Sequence, residues 1–142
     1  MGKDNKKLIN PDRGPFVLVV EDDSIIRLGL VDALEEAGFR VVDAATGAAG
    51  LSALKRDEDL AALLTDIEMP GTLDGLALAR IVHERRPDAA VIVMSGRVRP
   101  GVGALPPNAR VFDKPYRHDD VVASLHELLD LDQGPSEATP PD

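Results

Sequence analysis

Polar residues of chemically reactive types follow several short apolar segments of this chain. Glu21 and Asp22 come directly after the first segment, Asp66 after the third, Ser95 at the end of the fourth and Lys114 after the fifth. Carboxylate oxygens from several residues are the ligands that Mg²⁺ prefers. Beside such a metal, one carboxylate can act as a nucleophile toward a phosphoryl group, while a hydroxyl and an ammonium group stabilise the transferred oxygens. If they meet in space, these residues indicate magnesium-assisted phosphoryl transfer.

Taken one at a time, the same residues have ordinary structural explanations. An acidic run before a helix usually serves the helix N-terminus and its dipole. Asp66 and Ser95 each precede a segment rich in turn-forming residues, and a lone lysine such as Lys114 is most often solvated. The chemical interpretation therefore depends on the elements that position the side chains.

The preceding segments have the pattern of buried parallel strands. They are short, apolar and rich in Val, Ile and Leu, as strands covered on both faces are. Segments with helical spacing lie between them, and Ser24, Thr46 and Asp74 are the predicted N-caps. The predicted strands span residues 16–20, 39–43, 60–65, 89–94 and 110–113, and a last helix carries the apolar residues of 121–129.

This alternation indicates βαβ units and an α/β fold with a parallel sheet. Right-handed crossovers place helices on both faces of such a sheet. Sites in open parallel sheets form at the carboxyl ends of the strands. We therefore expect the acids, the hydroxyl and the lysine at one edge, where clustered carboxylates repel one another unless a cation is bound.

Composition limits the function classes that remain. The chain has 142 residues and a formal net charge of −9, which disfavours unaided binding to nucleic acid. It has no cysteine, and no apolar run approaches the roughly 20 residues that span a bilayer. The segments predict a polar leader at 1–14, one domain at 15–131 and an acidic, proline-rich tail at 132–142. We expect a cytoplasmic protein without membrane or direct nucleic-acid partners.

Five short segments resemble the signature segments of the two-component response-regulator receiver (CheY-like) family. They occur in the family's order and with nearly its spacing, across about residues 15–131. Any one of them is weak evidence, but the five together are specific. The segments are Val19-Val20-Glu21-Asp22-Asp23, Thr65-Asp66-Ile67-Glu68-Met69-Pro70, Asp74-Gly75, Val93-Met94-Ser95-Gly96 and Lys114-Pro115-Tyr116.

The resemblance implies a doubly wound, flavodoxin-like fold with a five-stranded parallel sheet in the order 2-1-3-4-5. It implies Mg²⁺ as the cofactor. Glu21 and Asp22 match the acidic pair, with Asp22 the direct ligand, and Asp66 matches a further ligand. The backbone carbonyl of Glu68 matches the third protein ligand of the metal.

The same resemblance assigns the phosphoryl chemistry. Asp66 matches the phosphoacceptor, and Ser95 matches the hydroxyl that follows the phosphoryl group during switching. Lys114 matches the lysine that pairs with that group, and its peptide bond to Pro115 is expected to be cis. The implied donor is a phosphohistidine on a sensor histidine kinase or a phosphotransfer protein. The implied role is a signalling phosphoacceptor that catalyses only its own phosphotransfer and autodephosphorylation.

The chain departs from the family pattern around its fourth and fifth strands. Val111 stands where the family often has an aromatic switch residue. The segment 97–109 holds three prolines and two glycines, so we expect a reduced or irregular fourth helix. Glu68 and Arg97 lie two positions after Asp66 and Ser95, and we predict that this oppositely charged pair modulates water attack on the phosphoryl group.

Three other interpretations fit the sequence less well. A magnesium-dependent phosphatase with an aspartate nucleophile would resemble a pattern with a second Asp at the position of Glu68, and no cap domain is predicted here. A nucleotide- or flavin-binding domain needs a Gly- or Ser/Thr-rich loop where this chain has Glu21 and Asp22. A pseudo-receiver would normally lack one of the key residues. With no effector domain predicted after residue 131, we expect a stand-alone switch or a phosphate sink.

Overall fold

The computed structural model describes residues 14–56, 59–69, 71, 73–96 and 104–131 of the chain. The five strands are β1 (Phe16–Val20), β2 (Arg40–Ala44), β3 (Leu60–Asp66), β4 (Ala90–Ser95) and β5 (Arg110–Asp113). The helices of the described residues are α1 (Ser24–Glu36), α2 (Gly47–Arg56), α3 (Gly75–Arg85) and α4 (His118–Leu128). All neighbouring strands pair in parallel, in the order β2-β1-β3-β4-β5. The predicted fold and strand order are confirmed.

Apolar side chains alternate between two cores, one on each face of the sheet. Phe16, Leu18 and Val20 of β1 face the core that α2 and α3 cover, whereas Val17 and Val19 face the core under α1 and α4. Every residue of β1 and β4 is buried, which explains why these strands lack the alternating polarity of a half-exposed strand. The sheet is thus a rigid platform whose strand ends hold their residues in place.

The N-terminal caps agree with the sequence prediction at two helices and differ at one. The Ala49 amide donates to Thr46 Oγ1 at 3.0 Å, and the Ala77 amide donates to Asp74 Oδ1 at 2.9 Å. The Ser24 prediction was wrong, because Asp23 caps α1 and Ser24 is its first helical residue. A carboxylate competes well for this place, since Asp23 Oδ1 accepts from two amides and its charge suits the helix dipole.

The segment between β4 and β5 follows the expectation of an irregular connection as far as it is described. Residues 104–109 form turns without a helix, and the Ala109 amide donates to the Pro106 carbonyl at 3.1 Å. Leu105 and Ala109 pack against the core beneath. Residues 97–103, including Arg97, lie outside the described residues, as do residues 1–13 of the predicted leader and the predicted tail at 132–142.

No helix among the described residues is both long enough and apolar enough to cross a bilayer.

Candidate functional site

Strand register brings the predicted site residues together. Val20 of β1 is aligned with Thr65 of β3, so that the next residues, Glu21 and Asp66, leave the sheet side by side. Asp66 is aligned with Met94, one residue before Ser95. Ser95 is in turn aligned with Asp113, one residue before Lys114. Parallel pairing alone therefore carries four separate polar residues to a single edge.

Three carboxylates form a compact cluster at this edge. One oxygen each from Glu21, Asp22 and Asp66 lies within 4.8 Å of the others. Glu21 and Asp66 are buried, with 0% and 3% of their surface exposed, whereas Asp22 faces solvent. The cluster thus has a buried floor and an open side.

Lys114 lies between the two buried carboxylates. Its Nζ donates to Asp66 Oδ2 at 2.8 Å and lies 3.4 Å from Glu21 Oε1. Burial alone would lower the pKa of Lys114, but the hydrogen bond and charge of Asp66 and the charge of Glu21 outweigh it and raise that pKa. The lysine is therefore a firmly held cation that balances one of the two buried negative charges.

The negative charge of Glu21 is only partly compensated by Lys114. Its Oε2 accepts the Asp23 amide at 3.0 Å, while among the described residues its buried Oε1 has no hydrogen-bond partner. Burial raises the pKa of Glu21, and the negative charge of Asp66 adds to that rise. The Asp23 amide and Lys114 oppose it without cancelling it. A second cation at the cluster would relieve this carboxylate.

The backbone around Asp66 is held closely. Asp66 Oδ1 accepts the Glu68 amide at 3.2 Å, and the Ile67 amide donates to the Met94 carbonyl at 2.9 Å. Gly75, the first residue of α3, packs on the Asp66 carbonyl so tightly that an added Cβ would lie 1.9 Å from its oxygen. The start of α3 therefore fixes the point where Asp66 leaves β3.

The donor set fits Mg²⁺. The carboxylate oxygens are hard ligands, and one side of the cluster is open for water. Glu21 also has a buried oxygen, Oε1, that lacks a hydrogen-bond partner among the described residues. Few protein ligands with several waters are the usual Mg²⁺ arrangement. Zinc is a poorer match, since the cluster contains neither His nor Cys.

The other predicted residues lie near this cluster. Ser95 is 1% exposed, its carbonyl accepts the Lys114 amide at 2.8 Å, and the Lys114–Pro115 bond is cis as predicted. The Glu68 side chain lies close to Gly96, since a Cβ added at Gly96 would be only 3.2 Å from Glu68 Oε1. The predicted partner of Glu68, Arg97, lies outside the described residues, so their pairing stays a prediction.

Sequence reasoning missed two residues at the site. Arg27 donates to the Glu21 carbonyl at 2.6 Å and to Asp43 Oδ2 at 2.9 Å, which ties the acidic loop to the end of β2. A cation in the first turn of a helix after an acidic run was the available signal. Tyr116 has a buried hydroxyl close enough to feel the charges of Glu21, Lys114 and Asp66. Tyr116 ends the signature segment Lys114-Pro115-Tyr116, but nothing in the sequence assigned a role to its hydroxyl.

A family model described as "Response regulator receiver domain" matches residues 17–126, which include the whole cluster. The chain belongs to the response regulator receiver family. It is 37% identical over 117 residues to the response regulator receiver protein CpdR of Brucella abortus (strain 2308), covering 80% of this chain and 95% of that protein.

Other relatives place the receiver within longer proteins. The chain is 39% identical over 118 residues to the DNA-binding transcriptional regulator NtrC of Escherichia coli (strain K12), covering 80% of this chain but only 24% of that protein. Among solved structures, a CheY-like response regulator receiver domain protein from Methanospirillum hungatei JF-1 superposes with a TM-score of 0.72 at 29% identity. That match covers 82% of this chain and 94% of the other.

Proposed function

We propose that Asp66 of this receiver accepts a phosphoryl group from a phosphohistidine, with Mg²⁺ held beside it. The observation that carries this proposal is the position of Asp66. Its carboxylate lies at the carboxyl end of a central strand, clustered with the acidic pair and 2.8 Å from the Lys114 Nζ. We infer that the donor is a sensor histidine kinase or a phosphotransfer protein and that the exchange takes place in the cytoplasm.

The transfer requires little from the protein beyond positioning and charge. An Asp66 carboxylate oxygen attacks phosphorus, the P–O bond forms as the P–N bond to the histidine ring breaks, and the ring nitrogen keeps the electron pair. The Lys114 ammonium group, already hydrogen-bonded to Asp66, shifts to pair with the negative charge on the phosphoryl oxygens. The hydroxyl of Ser95 provides a further donor to these oxygens from the end of β4.

Glu21, Asp22, Asp66 and the backbone carbonyl of Glu68 would hold the metal. When bound, Mg²⁺ neutralises charge that develops on the phosphoryl oxygens. Glu21 and Asp22 serve different ends, since one is buried and the other faces solvent. Glu21 contributes negative charge to the buried side of the cluster, and Asp22 is the ligand that an entering metal ion reaches first.

The acyl phosphate on Asp66 is then hydrolysed by the domain itself. We infer that Glu68 influences this step, because its carboxylate lies against Gly96, the residue after Ser95. Arg97 is its proposed partner in controlling the approach of water. The phosphorylated receiver acts as a switch for a protein target or as a phosphate sink.

Intact mass spectrometry tests the proposal. The protein is incubated with a small acyl-phosphate donor and Mg²⁺, then with donor and chelator. We expect one phosphoryl adduct that requires the metal, is lost in Asp66→Ala and persists in the matched control Asp88→Ala, an exposed carboxylate before β4. An adduct that survives Asp66→Ala, or that forms equally in chelator, would contradict the assignment.

A further inference from the structure

Tyr116 places a polar group where the fold does not require one. Its ring packs against the core under α1 and α4, which is the role of any large aromatic side chain. Its hydroxyl is buried, and among the described residues it has no hydrogen-bond partner. Buried hydroxyls are normally satisfied, and a phenylalanine would fill the same space without leaving one unpaired. Packing therefore explains the ring but not the hydroxyl.

The surroundings of this hydroxyl belong to the phosphoryl site. Burial raises the pKa of Tyr116 to about 12, and the negative charges of Glu21 and Asp66 contribute to that rise, with Lys114 opposing it. The phenol therefore keeps its proton at neutral pH and is available as a hydrogen-bond donor. Tyr116 follows the cis Lys114–Pro115 bond by one residue, so the backbone holds it beside the lysine of the site.

A matching acceptor lies in the same neighbourhood. Glu21 Oε1 is also buried and, within the described part of the chain, also lacks a hydrogen bond. Among the described residues the cation close to it is Lys114, at 3.4 Å, and Lys114 is hydrogen-bonded more closely to Asp66, at 2.8 Å. Any event that draws Lys114 further toward Asp66 weakens its contact with Glu21 Oε1. An unused hydrogen-bond donor and an acceptor that shares its cation with Asp66 thus lie near the same lysine.

We propose that Tyr116 is a positioning residue whose hydroxyl binds Glu21 Oε1 when Lys114 is drawn to a phosphoryl group on Asp66. This rests on the proposed function, because it needs that group on Asp66. In the resting protein Lys114 supports both carboxylates. In the phosphorylated protein Lys114 serves the phosphoryl oxygens, and Tyr116 keeps Glu21 oriented in the acidic cluster. The hydroxyl therefore stabilises the phosphorylated state more than the resting one.

The chain carries its own reporter for this exchange. Tyr116 is its single tyrosine, and it has no tryptophan. Intrinsic fluorescence thus reports on this side chain with little interference. Beryllofluoride, a phosphoryl mimic, is added to protein already saturated with Mg²⁺. A phenol that becomes bonded to a carboxylate emits less, so we expect quenching on addition of beryllofluoride, beyond any effect of Mg²⁺ alone, and little quenching in Glu21→Gln.

Calorimetry gives an independent measurement. In Tyr116→Phe we expect beryllofluoride to bind about tenfold more weakly in saturating Mg²⁺, as for loss of one good hydrogen bond. The affinity for Mg²⁺ alone should change less than twofold. The matched control is Ser124→Ala, which removes another buried hydroxyl, on α4. This hydroxyl accepts from Arg110 at the start of β5, away from the cluster. The control variant should leave both affinities unchanged.

The possible results separate the two proposals. If wild type binds beryllofluoride no better than Asp66→Ala, the proposed function fails and this inference fails with it. If wild type binds beryllofluoride and Tyr116→Phe binds it equally well, only the role of Tyr116 is overturned. A purely structural role would weaken binding of Mg²⁺ alone and of beryllofluoride to the same extent, which also overturns the proposal.

Discussion

Replacing Lys114 by Met should destabilise the metal-free domain strongly, because it leaves two buried carboxylates without their cation. The side chains of Glu21 and Asp66 are only 1% and 4% exposed, so water screens them poorly. In wild type the Lys114 Nζ lies 2.8 Å from Asp66 Oδ2 and 3.4 Å from Glu21 Oε1, so the variant loses two close attractions. Removing one partner of a buried ion pair typically costs about 3–5 kcal/mol. Methionine keeps the apolar stem, so the loss is mainly electrostatic. We expect a decrease of about 3 kcal/mol in unfolding free energy at neutral pH, or roughly 10 °C in Tm.

The assay is urea and thermal unfolding of wild type and variant in chelator, repeated with Mg²⁺ and across pH. The pKa of Glu21, already raised, rises further when Lys114 is absent, so the variant takes up a proton at higher pH than wild type. A raised acid pKa means that stability is greatest at low pH and is lost as pH rises through the folded-state pKa. The deficit of Lys114→Met should therefore shrink toward pH 5. Mg²⁺ should stabilise the variant more than wild type.

Two further variants make the result interpretable. Adding Asp66→Asn to Lys114→Met removes one of the two repelling charges and should restore more than half of the lost stability. Arg110→Met breaks an exposed ion pair with Glu127 and should change stability by only about 0–1 kcal/mol. A Lys114→Met protein as stable as wild type, or one whose deficit is the same at every pH, would refute this electrostatic account.

Four other changes have defined outcomes. Glu21→Gln should raise stability in chelator by about 1 kcal/mol at pH values above the raised pKa of Glu21, as denaturant unfolding would measure. The gain should shrink as pH falls through that raised pKa and vanish near the ordinary value of 4.5, because only the ionised carboxylate is unfavourable. Asp22→Asn should remove most of the Tm increase that Mg²⁺ produces, and an equal increase in both proteins would place the metal elsewhere. Gly75→Ala should lower the free energy of unfolding by about 1–3 kcal/mol, because the new Cβ would clash with the Asp66 carbonyl. The NMR signal of the Asp66 amide should shift, and an unchanged spectrum would contradict that contact. Since the pKa of Tyr116 is raised to about 12, its contribution to stability is lost as pH rises from about 10 to 12, and Tyr116→Phe should lack that loss.

The sheet and the residues at its edge were predictable because each rests on a short-range pattern. Apolar runs such as Phe16–Val20 indicate strands buried on both faces, and parallel pairing then aligns the strand ends without further information. The predicted ends of β2, β3 and β4 differ from the observed ones by one residue, as Asp66 illustrates by closing β3 instead of following it. Such a shift leaves the residue at the same edge.

The remaining features depend on contacts that the local sequence does not encode. Asp23 and Ser24 are both good cap residues, and the choice between them follows from the path of the chain after Glu21. Glu21 and Asp22 are neighbours with the same chemistry, yet one is buried and the other exposed. The Tyr116 hydroxyl, which has no hydrogen-bond partner among the described residues, is buried where the ring packs against the core under α1 and α4. Tertiary structure sets all three.

Borohydride trapping tests the central claim most directly, because it identifies the phosphorylated side chain itself. Borohydride reduces an aspartyl phosphate to homoserine, which peptide mass spectrometry locates after treatment with Mg²⁺ and a small acyl-phosphate donor. The account predicts homoserine at position 66 alone, dependent on Mg²⁺. Reduction at Asp22, Asp23 or Asp74, or no reduced residue in protein that carries a phosphoryl adduct, would contradict it.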